Sequence, residues 1–218
     1  MFVVEMLMYI SSGLIIASFI IYFLLVVIGR TKKVTDSDGF NITKDIIHEY
    51  NSINIILSKG NLTVYNIKRR VIRMANKCYY GNTVSDIVIP LIEAGISSVD
   101  DKKNKVINFL RNIFPNIKCL YIFPLVCVII NSQTYNISDA KVSIIFFILF
   151  AIISYMVIDI KSNGILNISN NIDKIKAFNA KNREKIIHFM NKIIVLDKLI
   201  FIGELMMIIR SVMIILDM

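Results

Sequence analysis

The side chains able to do chemistry in this chain are few and scattered. Its two histidines, His48 and His188, stand 140 positions apart, each in a stretch with helical apolar spacing where a surface or interfacial imidazole is the ordinary occupant. A histidine joined by carboxylates can hold a metal, but the spacing favours no such set. Cys78, Cys119 and Cys127 are odd in number and lack the close pairing of zinc ribbons or redox motifs, so they read as small apolar packing residues. Ser97 and Ser98 lie near Glu93, yet a serine nucleophile needs a base and no histidine is local. Glu93 itself stands in the almost wholly apolar run SDIVIPLIEAGISSV, residues 85–99. A carboxylate buried there must be paired or neutralised, which makes it the residue most in need of an explanation.

The elements that position these residues are set by the bilayer. With 218 residues, a net charge of +9 and 56% hydrophobic residues, an ordinary soluble domain is disfavoured. Ile occurs 46 times and Asn 20 times, a bias that AT-rich coding produces, so an isolated Ile, Asn or Asn-x-Ser/Thr triplet carries little functional information. From Met6 to Gly29 no residue is charged, and 24 helical residues at about 1.5 Å each cross a hydrocarbon core of about 30 Å. Glu5 precedes this run, whereas Arg30, Lys32 and Lys33 follow it, the charge order of an uncleaved anchor with its N-terminus outside. Val142 to Ile158 gives a second uncharged run of 17 residues. Cys119 to Ile130 is shorter and holds Pro124, but no charge appears before Asp139, so a further crossing is expected there. Leu199 to Leu216 is interrupted by Glu204 and Arg210, six residues apart and expected on different helix faces. Either these charges face protein or water within a bundle, or the helix lies along the interface.

Basic residues set the expected orientation. Residues 30–118 hold 15 Lys+Arg against 8 acids, and residues 159–192 hold 7 against 3, while residues 131–141 hold Lys141 alone. Both large polar segments should therefore face the cytoplasm, beside anionic inner-leaflet lipid. Nucleic acid is not expected as a partner, since no aromatic-basic motif accompanies the charge.

Within the first polar segment, NITKDIIHEYN (41–51) predicts a short amphipathic helix capped by Asn41 or Thr43. Three short strands are expected at 53–57, 62–65 and 71–74, with Lys59, Gly60 and Asn61 turning the chain between the first two. A second helix follows over 85–99, where Pro90 implies a kink or a late start. Apolar residues surround that helix almost completely, as in a helix at the centre of a small domain.

The succession GNLTVYN (60–66), RRVIRM (69–74), YYGNTVSDI (79–87) and IEAGI (92–96) resembles the neutral zinc metallopeptidase family of bacterial membranes. The flanking order is similar: one N-terminal span, two spans after the motif, a return segment and an apolar C-terminal helix. In that family two histidines at i and i+4 bind zinc while the glutamate between them activates the metal-bound water. The resemblance places Ile92 and Ile96 at those histidine positions, keeping Glu93 and Gly95. It also implies a third ligand from a Leu-Pro-x-Glu run, aligned here with LNISNNID (166–173), so that Ser169 stands at the glutamate and Asp173 near a later polar position. Val64 and a one-residue deletion replace the family's Asp-His pair. Aliphatic carbon has no lone pair to donate, so the resemblance implies a lost zinc site and no other cofactor. Gly81 and Gly95 then serve a turn and close helix packing, and Tyr79 and Tyr80 anchor near the headgroups.

The expected architecture is an α-helical membrane protein with a small α+β zincin-like cytoplasmic segment and about four transmembrane or membrane-associated helices. Its expected divisions are an anchor at 1–29, the zincin-like segment at 30–118, two spans within 119–160, a return segment at 161–192 and a C-terminal membrane helix at 193–218. The function this implies is that of a catalytically inactive relative of a zinc peptidase in the bacterial inner membrane. Its partners would be the bilayer and a membrane or cytoplasmic protein, an active paralogue included. Two alternatives stay open: an active zinc peptidase with rearranged ligands around Glu93, and a transport or channel subunit with Glu204 and Arg210 along a polar path.

Overall fold

A computed structural model of the chain describes residues 2–49, 55–66, 69–99 and 137–216. The crossing expected at Cys119–Ile130 lies outside them, as do Cys119 and Cys127. The elements run α1 (Phe2–Arg30), α2 (Gly39–Glu49), β1 (Ile56–Gly60), β2 (Val64–Asn66), β3 (Val71–Ala75), α3 (Asn76–Tyr80), α4 (Val84–Val99), α5 (Ile137–Asn171) and α6 (Ala180–Leu216), with a 3-10 turn at Ile172–Lys174 before α6. Three stretches are long and apolar enough to cross a membrane: Phe2–Gly29, Ala140–Lys174 and Ala180–Leu216. The polar return segment expected between two spans is therefore largely helical. It comprises the last turns of α5, the 3-10 turn and the start of α6, where the Asn179 carboxamide oxygen accepts from the amide of Asn182 at 2.9 Å as an N-cap.

The chain divides into two compact units. The first takes in Met1–Tyr22, Asn116–Ile158 and Val195–Met218. Its described part is helical and packs through Ile15, Phe147, Phe150 and Met207, with a second cluster of Val4, Ala140 and Ile214. Gly203 lets α6 approach α1, because a Cβ there would stand 2.7 Å from Ile15 Cγ1. Large apolar side chains such as Phe2, Tyr9, Ile145 and Tyr155 point outward, as lipid-facing positions do.

The second unit takes in Phe23–Pro115 and Asp159–Ile194 and holds a three-stranded sheet in the order β1-β3-β2. β1 runs parallel to β3, and β2 antiparallel to it with Tyr65 opposite Ile72. Lys59 and Gly60, expected in a turn, instead extend β1 and pair with Met74 and Ala75. α2 begins at Gly39, earlier than Asn41. The Asp38 carboxylate accepts from the Asn41 amide at 2.9 Å and is the cap, whereas the Thr43 hydroxyl donates back to the Gly39 carbonyl inside the helix. The short helix α3, which the sequence pattern did not announce, carries Tyr79 and Tyr80.

α4 starts at Val84 with Thr83 as its cap. The Thr83 hydroxyl donates to Asp86 Oδ2 at 2.7 Å, and the Ile87 amide closes the first turn on the Thr83 carbonyl. Pro90 neither delays nor ends the helix. α4 packs against α2, α3, β2 and β3, and Ile87, Val88, Leu91 and Ala94 are fully buried, so its near-uniform apolarity reflects burial on several sides.

Candidate functional site

One turn of α4 carries the residues singled out by sequence. Ile92 and Ile96, at i and i+4, share a face and are buried. Gly95 is in backbone contact with α5: a Cβ on Gly95 would lie 2.5 Å from the Gly164 carbonyl oxygen, and one on Gly164 would lie 2.7 Å from the Gly95 carbonyl carbon. Each glycine is therefore required by the other, and neither position tolerates a methyl group without backbone movement. The same face of α5 sends the Asn167 carboxamide to the Ser98 hydroxyl at 3.1 Å. The run 166–173 thus begins beside α4. Ser169 is half-buried near the end of α5, and Asp173 is exposed and paired with Arg183 at 3.2 Å.

Glu93 is half-buried, and its Oε2 accepts a hydrogen bond from the backbone amide of Tyr65 at 2.9 Å. Tyr65 lies in β2, at one edge of the sheet, so a side chain from the helix takes up an amide that the ladder leaves over. This partner answers the demand of a carboxylate in an apolar run, and no local pattern signals it, because the bond joins positions 28 apart through the sheet edge. The neighbouring serines are engaged locally. Ser97 and Ser98 each donate to carbonyls of their own helix, Ala94 and Gly95, at 2.6 Å. His48 and His188 are exposed on α2 and α6, and Cys78 is buried. Among the described residues no group of three His, Cys, Asp or Glu side chains is placed to hold a metal.

The Tyr79-Tyr80-Gly81 run forms a second small constellation. Tyr79 stacks on Phe40 with centroids 4.7 Å apart, Tyr80 meets Tyr79 edge-on at 5.0 Å, and Lys59 Nζ sits over both rings. Lys59 also donates to the Tyr80 hydroxyl, a bond that holds its ammonium above the ordinary lysine range. At Gly81 the requirement is space, since its φ of −78° suits any residue but a Cβ would press on Asp86. Its carbonyl accepts from the Gly39 amide at 2.8 Å, tying α3 to the start of α2.

In the first unit, Glu204 and Arg210 are both buried, at 1% and 0% exposure. The buried positions Asp197, Ile200, Glu204, Met207, Ser211 and Ile214 alternate steps of three and four, a heptad phase visible in the sequence that places Glu204 on the inner face with Arg210 flanking it. Glu204 Oε1 accepts from the Ser154 hydroxyl at 2.9 Å. Of the two options the sequence left open for these charges, the one facing protein is the one found.

No family model matches the chain, nor does any curated protein or any solved structure. None of the three identifies the zinc metallopeptidase family that the sequence resembles.

Proposed function

We propose that this chain is a non-catalytic, multi-pass membrane relative of the zinc metallopeptidases that acts by binding another protein, with its zincin-like segment and return segment on the cytoplasmic side of a bacterial inner membrane. The observation that carries the reading is the state of the Glu93 turn. The residues flanking Glu93 at the ligand positions are aliphatic and buried, and one oxygen of the carboxylate accepts from the Tyr65 amide. That bond also occupies the sheet-edge amide with which an extended peptide would pair, so the partner docks elsewhere on the segment. Three membrane-length helices support the membrane part, and the excess of basic residues in 30–118 and 159–192 supports the orientation.

The test is a peptidase assay on the full chain in detergent, with and without a chelator, beside Glu93→Gln, together with cross-linking in cells. The reading expects no chelator-sensitive cleavage and a discrete protein adduct. Cleavage abolished both by the chelator and by Glu93→Gln would establish the rearranged-ligand peptidase in its place, and cross-linking without any adduct would remove the binding role.

The transport reading is favoured by one observation, the buried Glu204 bonded to Ser154 on membrane-length helices with Arg210 also buried. Neutralising Glu204 and Arg210 without any change in ion or solute flux would remove it.

A further inference from the structure

A cavity of about 230 Å³ opens in the second unit between the last turns of α1 and the first half of α6, with Val84 of α4 at its base. Leu25 and Ile28 of α1 line it, with Lys32 just past the end of that helix; from α6 come Lys185, His188 and Lys192, at i, i+3 and i+7 on one helical face. Phe189 supplies the aromatic wall and reaches α1 because residue 29 is glycine: a Cβ there would stand 2.7 Å from the Phe189 ring. The cavity therefore has apolar walls and three ammonium groups, and no carboxylate lines it among the described residues.

The place of this cavity in the chain selects its occupant. The uncharged run of α1 ends at Gly29, and Leu24 and Ile28 remain about half exposed there, continuous with the outward apolar surface of the helix. A lysine stem can pack on apolar surface while its ammonium head stays in a polar layer, so apolar walls beside three lysines suit an amphiphile carrying negative charge. A soluble anion has no use for the wall of Leu25, Ile28 and Phe189, and a neutral lipid has none for three lysines.

We propose that this cavity binds an anionic phospholipid, its phosphate held by Lys32, Lys185 and Lys192 and an acyl chain laid against Leu25 and Ile28. The site rests on α1 crossing the bilayer and is independent of the peptidase comparison.

Native mass spectrometry of the full chain, released from neutral detergent with phosphatidylglycerol or phosphatidylcholine of matched chains, tests it. Phosphatidylglycerol should be retained in preference to phosphatidylcholine, and Lys32→Gln/Lys185→Gln/Lys192→Gln should weaken it about tenfold or more. Lys44→Gln/Lys77→Gln/Lys176→Gln, which removes the same charge from exposed positions away from the cavity, should leave it unchanged. Equal retention of both lipids, or equal loss in the two triple variants, would overturn the site. Glycerol phosphate should not compete, and competition as effective as the lipid's own would assign the lysines to a soluble phosphate and overturn the lipid.

Discussion

Glu93 has a structural use in its hydrogen bond to the sheet edge. Because its Oε2 accepts from the Tyr65 amide, Glu93→Ala leaves that amide without its partner and should cost about 1–2 kcal/mol, somewhat below the usual value for a charge-assisted bond because the group is half-buried. Glu93→Gln keeps a carbonyl oxygen in place and should lose less than half of that. Thermal unfolding in detergent checks both, and a glutamine variant as unstable as the alanine variant would show that the charge, and not the acceptor, is what matters. Gly95→Ala is expected to cost about 1–2 kcal/mol, since overpacking against the Gly164 backbone outweighs the gain in helix propensity. The apolarity of Ile92 and Ile96 and the packing use of Gly95 were legible in the sequence, because residue type decides them. The partner of Glu93 was not, since it depends on which strand lies at the sheet edge.

Among the elements, the helices were more legible than the strands. The uncharged runs at 6–29 and 142–158 fall within α1 and α5, where apolar length decides the outcome. The C-terminal end of β1 reaches past the expected Leu57 because Lys59 and Gly60, despite their turn chemistry, have β3 to pair with; residues 53 and 54 of the expected strand lie outside the described residues. α2 is capped from Asp38, just before Gly39, because its carboxylate reaches the Asn41 amide while Asn41 and Thr43 already lie inside the helix. On α6, Glu204 and Arg210, six residues apart, are both buried, so the inner face is broad enough to take in a position flanking its main stripe. Ser154→Ala, which takes the donor from buried Glu204, should lower unfolding stability by about 0.5–1.5 kcal/mol, whereas Ser143→Ala, at a site with no part in that bond, should be nearly neutral. Equal effects from the two would deny the Ser154–Glu204 bond any particular weight.

At the scale of the molecule, the distribution of Lys and Arg makes a prediction that the fold leaves open. Reporters inserted in the exposed turns near residues 36 and 176 should both read cytoplasmic, and one fused ahead of Glu5 should read external. Opposite readings at 36 and 176 would break the orientation. The central proposal is that this chain works without the metal of the family it resembles. Elemental analysis of the full chain, purified in detergent after growth in zinc-supplemented medium, bears on it most directly. The account predicts no stoichiometric zinc in either the wild-type chain or Glu93→Ala. A full equivalent in the wild-type chain, lost on Glu93→Ala, would contradict it.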